Sequence, residues 1–391
     1  MIAIAVLVLA PRATSQDDLP FLPAARAAPA VALEEDASRW IDPEDGWFDV
    51  SAFLEQPHGF LPLVVPITEP ALGYGAVGAA VFLDPREEAA GTEGSNRPNM
   101  TAIGGLWTED GSTGLFAANS SLWSGGDLQT LVGGGELSLE LELSGIGDNP
   151  TLEDDPLDYR LELLGIVGEG RARLGDSDFW LALRFAYAEA EVDFDGSATG
   201  IPGVDPDDDD VTLAGPALSV RYDSLDNVLT PTRGTLSDTS GSFFDDAFGG
   251  TRDFQLFQQI LIRHWPLSER FFLGARAQAN GSFGDVPFYA RPFIYMRGIP
   301  ALRYQGEYVV SAELELRWQF HPRISLVGFG GGGLAWTNLE SFDREQSAFS
   351  EGLGLRYLVA RKFGLLAGLD VARGPEDGAI YVQVGNAWMR P

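Results

Sequence analysis

Three arginines, Arg291, Arg297 and Arg303, stand in one stretch, residues 283–306, that also holds Phe288, Phe293, Tyr295 and Tyr304. Two carboxylates follow closely, Glu313 and Glu315, spaced so that an extended chain puts both on one side. Guanidinium and carboxylate groups form short, charge-assisted and often bidentate pairs, so this set is suited to holding a segment in place. Other chemistry finds little footing. There is no cysteine, which excludes thiol catalysis and thiolate metal sites. His58, His264 and His321 are the only histidines, one in the lead-in and two beside Trp265 and Pro322 at periplasmic strand ends, so they do not make a metal cluster, and no serine stands in a nucleophile motif beside one. Glu140, Glu142 and Asp370 have the chemistry for acid–base work, but pairing with Arg184, Arg276 and Arg356 explains them more simply. The expectation is no enzyme, no cofactor and no metal.

The elements that position these groups are extended. Over residues 308–320, Tyr308, Val310, Ala312, Leu314, Leu316, Trp318 and Phe320 alternate with Ser311, Glu313, Glu315, Arg317 and Gln319. That is the period of a strand. The pattern recurs: Phe271, Leu273, Ala275, Ala277 and Ala279 oppose Arg276, Gln278 and Asn280; Leu137, Leu139, Leu141 and Leu143 oppose Glu140 and Glu142; Phe179, Leu181, Leu183, Phe185 and Tyr187 oppose Arg184. Leu353, Leu355 and Tyr357 oppose Arg356, and Ile380, Val382, Val384 and Trp388 oppose Tyr381 and Gln383. A soluble sandwich would turn the apolar face inward. So many charged opposite faces favour the reverse, a transmembrane antiparallel β-barrel with apolar side chains toward lipid and a polar lumen. No stretch beyond the first ten residues approaches a membrane-spanning helix. Gly328, Gly330 and Gly333 satisfy G-x-G-x-x-G, but no helix or βαβ unit surrounds them, so they read as room on a lumen wall for an inserted loop.

Residues 1–15 have a short apolar core and small residues before Gln16, and read as a signal peptide without a basic leader; an apolar N-terminal strand is the other reading. Residues 16–59, rich in Ala, Pro and acid, read as a periplasmic lead-in, partly disordered. Residues 60–391 form the barrel, with strand cores near 61–67, 72–83, 98–107, 113–122, 127–145, 158–172, 178–192, 211–222, 233–244, 252–265, 271–282, 307–320, 324–336, 348–359, 363–373 and 379–388. The net charge of −31, with Lys362 the sole lysine, excludes nucleic acid as a partner. Acid concentrates at 153–155 and 205–210, which read as solvated loop charge, since neither run has the spacing of a calcium loop. Outer-membrane barrels have short periplasmic turns and longer outer loops. Counting back from a periplasmic C-terminus, the tight turns near 267–269, 321–323 and 361–362 fall inside and the long connections 193–210, 283–306 and 337–347 fall outside. The connection 84–97 breaks the rule.

The aromatic, Arg-bearing stretch 283–306 has little reason to stand in water. Folded back into the lumen, it would meet Glu313 and Glu315. Here YMRGIPALRYQGE, followed by a strand with an inward Glu, resembles the sixth outer loop and next strand of the BamA/TamA superfamily, in its bacterial surface antigen barrel domain. YDSLDNVLTPTRG, with Asp223, Asp226, Asn227, Pro231 and Gly234, is similar to that family's periplasmic turn between strands eight and nine. The closing stretch from residue 352 on, with Tyr381 and Trp388, looks like its last three strands and terminal aromatic. The resemblance implies that Arg297 and Gly298 are the loop-tip pair, with Arg303 and Gly306 in the same lock, Glu315 as acceptor and Glu313 as its substitute. The family's second acid, an Asp on the following strand, is replaced by Gly331. The family's periplasmic POTRA domains are far larger than the lead-in. The resemblance further implies insertion or translocation of proteins or lipids at the Gram-negative outer membrane, with lipid, a client outer-membrane or secreted protein, and a separate periplasmic protein as partners. A passive channel or structural barrel is the alternative.

Overall fold

The computed structural model describes residues 40–54, 61–84, 99–144, 156–195, 204–227, 229–337, 346–376 and 378–388. Residues 1–15, the acid run 153–155, His58 and the bulk of the connections 84–97 and 337–347 lie outside them. Sixteen strands follow in chain order: β1 Leu61–Ile67, β2 Gly75–Asp84, β3 Asn99–Thr108, β4 Thr113–Trp123, β5 Leu128–Leu143, β6 Leu157–Arg173, β7 Phe179–Phe194, β8 Asp210–Asp223, β9 Gly234–Phe244, β10 Phe254–Pro266, β11 Phe271–Gly284, β12 Tyr308–His321, β13 Ile324–Trp336, β14 Gln346–Ala360, β15 Leu365–Arg373 and β16 Gly378–Val384. Each is antiparallel to the next in one sheet that begins at β1 and ends at β16. Among the described residues no helix is long and apolar enough to cross a membrane. The sheet curls into a nearly closed barrel in which no ladder joins β1 to β16 among the described residues. Pro62 and Pro66 share one side of the β1 backbone and have no N–H to donate, a residue choice confined to sheet edges.

On the outside, Val310, Leu314 and Leu316 of β12 are exposed between Tyr308 at one end and Trp318 and Phe320 at the other. Ten residues at about 3.3 Å each, tilted about 40°, cover about 25 Å, the height of a barrel's apolar band. Aromatic rings mark both edges of that band. Phe243, Phe257, Phe283, Tyr308 and Trp336 form a cross-strand row toward the long loops. Phe179 packs on Tyr222, and Phe271 stacks on Trp318, toward the short turns.

The leucines at 137, 139, 141 and 143 point the other way from the expectation. All four are buried inside the barrel, and Glu140 and Glu142 face out. Alternation defines two faces without saying which is which, and here the structure supplies two reasons for the reversal. First, β5, β6 and β7 extend past the apolar band, so their outward faces turn from apolar (Leu164 and Ile166; Leu181, Leu183 and Phe185) to charged (Asp158, Arg160 and Glu162; Glu189, Glu191 and Asp193). Glu140 accepts from Arg160 at 2.6 Å across this outer rim. Second, the inner face at that level meets the aromatic loop 285–307, so Leu137, Leu139, Leu141, Tyr159, Leu161 and Leu163 form an apolar cluster with its Phe288 and Phe293. Deeper in, the wall is charged: Glu169 pairs with Arg171 (2.7 Å) and Arg184 (2.5 Å), and Arg221 pairs with Asp238 (2.7 Å). The run 205–210 likewise departs from solvated charge at Asp208, which is buried, pairs with Arg252 at 3.0 Å and accepts from the Phe288 amide.

Ahead of β1, residues 40–54 form a strap on the short-turn end. A bridge joins Ile41 to Phe48 and a helical turn spans Ser51–Leu54. Arg323, in the β12–β13 turn and only 1% exposed, pairs with Asp42 (2.5 Å), Asp45 (2.6 Å) and Asp49 (2.6 Å) of the strap. The Val50 amide donates to the Val359 carbonyl, and Asp49 and Ser51 accept from the amides of Arg361 and Lys362.

Two outcomes follow from this arrangement. Leu183→Lys, in the apolar band of β7, is expected to destabilise the barrel by about 2–4 kcal/mol, whereas Glu191→Lys on the same outward face costs little, as measured by guanidinium unfolding in vesicles. The Arg323 hydrogen bond holds Asp45 below its ordinary value of 3.8. Burial opposes ionisation of Asp49, but hydrogen bonds from Ser51, Arg323 and the Arg361 amide outweigh it and its pKa also falls below 3.8. Depressed carboxyl pKa values stabilise the docked strap above that pH and lose their effect as pH falls through the folded values. Glu44, Arg361 and Lys362 also border the strap, and His321 packs on Trp47. Hydrogen exchange at the Val50 and Arg361 amides should stay protected from neutrality down to about pH 4 and lose protection below it.

Candidate lumen site

Loop 285–307 enters the barrel as a hairpin. Ile294 donates to the Tyr304 carbonyl and Gly306 to that of Pro292, each at 3.0 Å, with a bridge between Phe293 and Gln305. Ile294 packs on Gly333, so that glycine is where the wall makes room; Gly328 and Gly330 lie on the outward face of β13 and do not meet the loop. Gly306 sits against the Trp336 backbone, where a Cβ would come within 2.7 Å.

The hairpin tip places Arg297, 4% exposed, among three carboxylates. Its Nη2 lies 2.5 Å from Glu313 and 2.8 Å from Glu315, and its Nη1 lies 2.9 Å from Asp370. Its plane rests 3.6 Å from the centre of the Phe329 ring, which β13 sets beside Glu315. Asp370 is fully buried and also takes both Nη atoms of Arg356, at 2.5 and 2.9 Å. Gly354 leaves the space that the Asp370 carboxylate occupies. Gly298 adopts φ +84°, a region open to glycine at little cost, and its amide donates to the Tyr381 hydroxyl of β16 at 2.9 Å. Three residues on, the Ala301 amide donates to Glu69 at 3.1 Å, just beyond β1. Arg303 and Tyr304 both reach Glu376 between β15 and β16.

Glu313 and Glu315 thus share Arg297, while Gly331, in register with Glu313, contributes space where a Cβ would crowd Glu313. A further acid does reach the guanidinium, from β15. In the sequence Asp370 reads as a wall charge facing an arginine, and nothing in its spacing ties it to residue 297. Trp388 is also elsewhere than expected. β16 ends at Val384, Gly385 turns at φ +76°, and Trp388 folds into the lumen, where its indole N–H donates to Glu313 and its ring lies beside His264. Gly385 is what ends the strand short of Trp388.

The 224–233 turn organises itself. Asp226 accepts from the Thr232 and Arg233 amides at 2.9 and 3.1 Å, Asn227 accepts from Leu229 and Thr230 at 2.7 and 3.0 Å, and Asp223 accepts from Leu225 at 3.2 Å. Gly234 has φ +105° and packs on Ser224, and Pro231 is buried in the turn. Asn227 donates to the Phe363 carbonyl at 3.3 Å, so the turn crosses toward β15. Among the described residues, one set of carboxylates, Asp245, Asp246 and Asp253, is close enough to share a cation.

A sixteen-stranded barrel with an arginine hairpin held in its lumen is an architecture that can be compared directly with solved structures. Family models and curated proteins gave no match. The chain is similar to the structure of BamA from Haemophilus ducreyi lacking POTRA domains 1–3, with TM-score 0.58 and 12% identity over 91% of this chain and 82% of that one. It is also similar to CdiB from Escherichia coli (TM-score 0.57, 12% identity, 83% of this chain and 61% of that) and to CdiB from Acinetobacter baumannii (0.55, 11%, 83% and 59%). The chain therefore spans about three fifths of the CdiB chains. The fold is the sixteen-stranded barrel that those structures share.

Removing one partner of a buried charge cluster leaves the others unpaired. Arg297→Ala is expected to cost about 3–5 kcal/mol. The barrel should then lose its compact gel mobility at a lower temperature, with Arg297→Lys intermediate because lysine cannot fork between acids. An unchanged transition in Arg297→Ala would show that the guanidinium contributes nothing to holding the wall.

Proposed function

We propose that this chain acts in insertion or translocation of proteins or lipids at the Gram-negative outer membrane, with loop 285–307 as an internal lock on its seam. The observation that supports this reading is the span of the hairpin tip. Gly298 is bonded to Tyr381 on the last strand and Ala301 to Glu69 beside the first, while Arg297 joins β12 to β15. Among the described residues no ladder crosses the seam, and these bonds, with the Val382 amide on Thr68 at 3.4 Å, link its two sides. In this reading the short-turn end and the C-terminus are periplasmic, consistent with the strap and β16 both ending there. The 224–233 turn and the Trp388 end form the lumen floor on that side.

The likeness in fold to BamA and CdiB is consistent with this reading, in which the barrel handles a client outer-membrane or secreted protein in contact with outer-membrane lipid and a separate periplasmic protein delivers the client. The hairpin fills the lumen with buried Phe288, Ile294 and Ile299, which argues against a standing pore. Reconstitution in liposomes separates the readings. Faster membrane insertion of an unfolded outer-membrane protein, with little solute leakage, is the expected result. Steady leakage with no help to the client would establish a passive channel instead.

A further inference from the structure

The strap, residues 40–54, has two unlike sides. One side is acid and faces the barrel. Asp42, Asp45 and Asp49 enclose Arg323, and Asp42 and Glu44 also meet Arg361. The other side is aromatic and faces out: Trp40, Ile41, Trp47 and Phe48 are all exposed within nine residues, and Trp40 stacks against both Phe48 and Phe53. Four large apolar side chains displayed together on a rigidly pinned segment are unusual for a surface in water.

The position of that aromatic side is fixed by its neighbours. Tyr357 continues the outward series of Leu353 and Leu355 on β14, which are 63% and 53% exposed in the apolar band. Trp47 stacks on the Tyr357 ring, and the Tyr357 hydroxyl donates to the Phe48 carbonyl at 2.6 Å. Trp47 also packs on His321, next in the chain to exposed Phe320. The strap's aromatic side is therefore continuous with the lipid-facing girdle at the short-turn end, outside the wall and beneath β12–β14. Indole and phenol rings favour the boundary between headgroups and acyl chains, where an apolar body and a polar tip are both satisfied.

We propose that residues 40–54 are a membrane-interface anchor: the Arg323 clamp presents Trp40, Ile41, Trp47 and Phe48 to the phospholipid headgroup boundary at the short-turn end of the barrel. The inference is independent of what the barrel transports. A chain without cysteine allows the test with single labels. Ile41→Cys, Phe48→Cys and, on the acid side, Glu44→Cys are each given a nitroxide and reconstituted in phosphatidylethanolamine–phosphatidylglycerol vesicles. Collision with oxygen is then compared with collision with a water-soluble nickel chelate.

Labels at 41 and 48 should be reached several-fold better by oxygen than by the chelate, and the label at 44 should show the reverse. Adding Arg323→Gln, or Asp45→Asn with Asp49→Asn if the first does not fold, should release the strap and move labels 41 and 48 to aqueous accessibility. The proposal is overturned if labels 41 and 48 in the unaltered barrel are as open to the chelate as label 44. It is equally overturned if they are shielded from both reagents, which would place protein rather than lipid over the aromatic side.

Discussion

One guanidinium shared among three carboxylates is the interaction on which the interior depends. Arg297 cannot stay buried without Glu313, Glu315 and Asp370, and those acids could not lie so close to one another without it. Two of the acids come from β12, the third from β15 and the guanidinium from the loop, so satisfying the charges fixes where β12, β15 and the hairpin tip sit relative to one another. A buried ion cluster of this kind is a weak source of net stability compared with apolar packing, but it tolerates few alternatives. The apolar upper half of the hairpin, packed on Leu139, Tyr159 and Leu161, supplies the bulk of the burial; the charged tip sets the register.

The wall itself follows a simple physical rule applied twice. Outside, side chains are apolar where hydrocarbon touches them and charged where β5, β6 and β7 project beyond it. Inside, they are apolar where the loop touches them and charged where it does not. The two gradients run together along β6, whose Leu161 and Glu162 point to the loop and to water at the same height. The seam is the exception: β1 ends the sheet with two prolines, so closure there passes to side chains and to the loop.

Much of this was legible in the chain. Period-two alternation located sixteen strands, because a lipid-facing wall demands it residue by residue, and the aromatic content of the loop showed that it could not stand in water. Arg291, Arg297 and Arg303 with Glu313 and Glu315 suit charge pairs by type and spacing, and the resemblance to the BamA/TamA superfamily singles out Arg297 among them. What was hidden has common causes. The phase of Leu137 to Leu143 depends on what fills the lumen, which is a tertiary fact. Asp370 meets Arg297 across 73 residues of chain, and the Arg323 clamp on Asp42, Asp45 and Asp49 spans some 280, with no local pattern to mark either. Trp388 fits the alternation of Ile380, Val382 and Val384, but the positive φ at Gly385 ends the strand before it.

The inward turn at Gly385 bears on how such a chain can be built. The acid that meets the loop arginine, the hydroxyl that meets the next glycine and the indole that caps Glu313 all come from the last stretch of the polypeptide, at 370, 381 and 388. Without that stretch the hairpin still meets Glu69, Glu313, Glu315 and the apolar wall of β5 and β6, but its arginine lacks Asp370 and the Gly298 amide lacks an acceptor. Only the final segment completes the set, so the fastening of the loop tip depends on the end of the chain being in place.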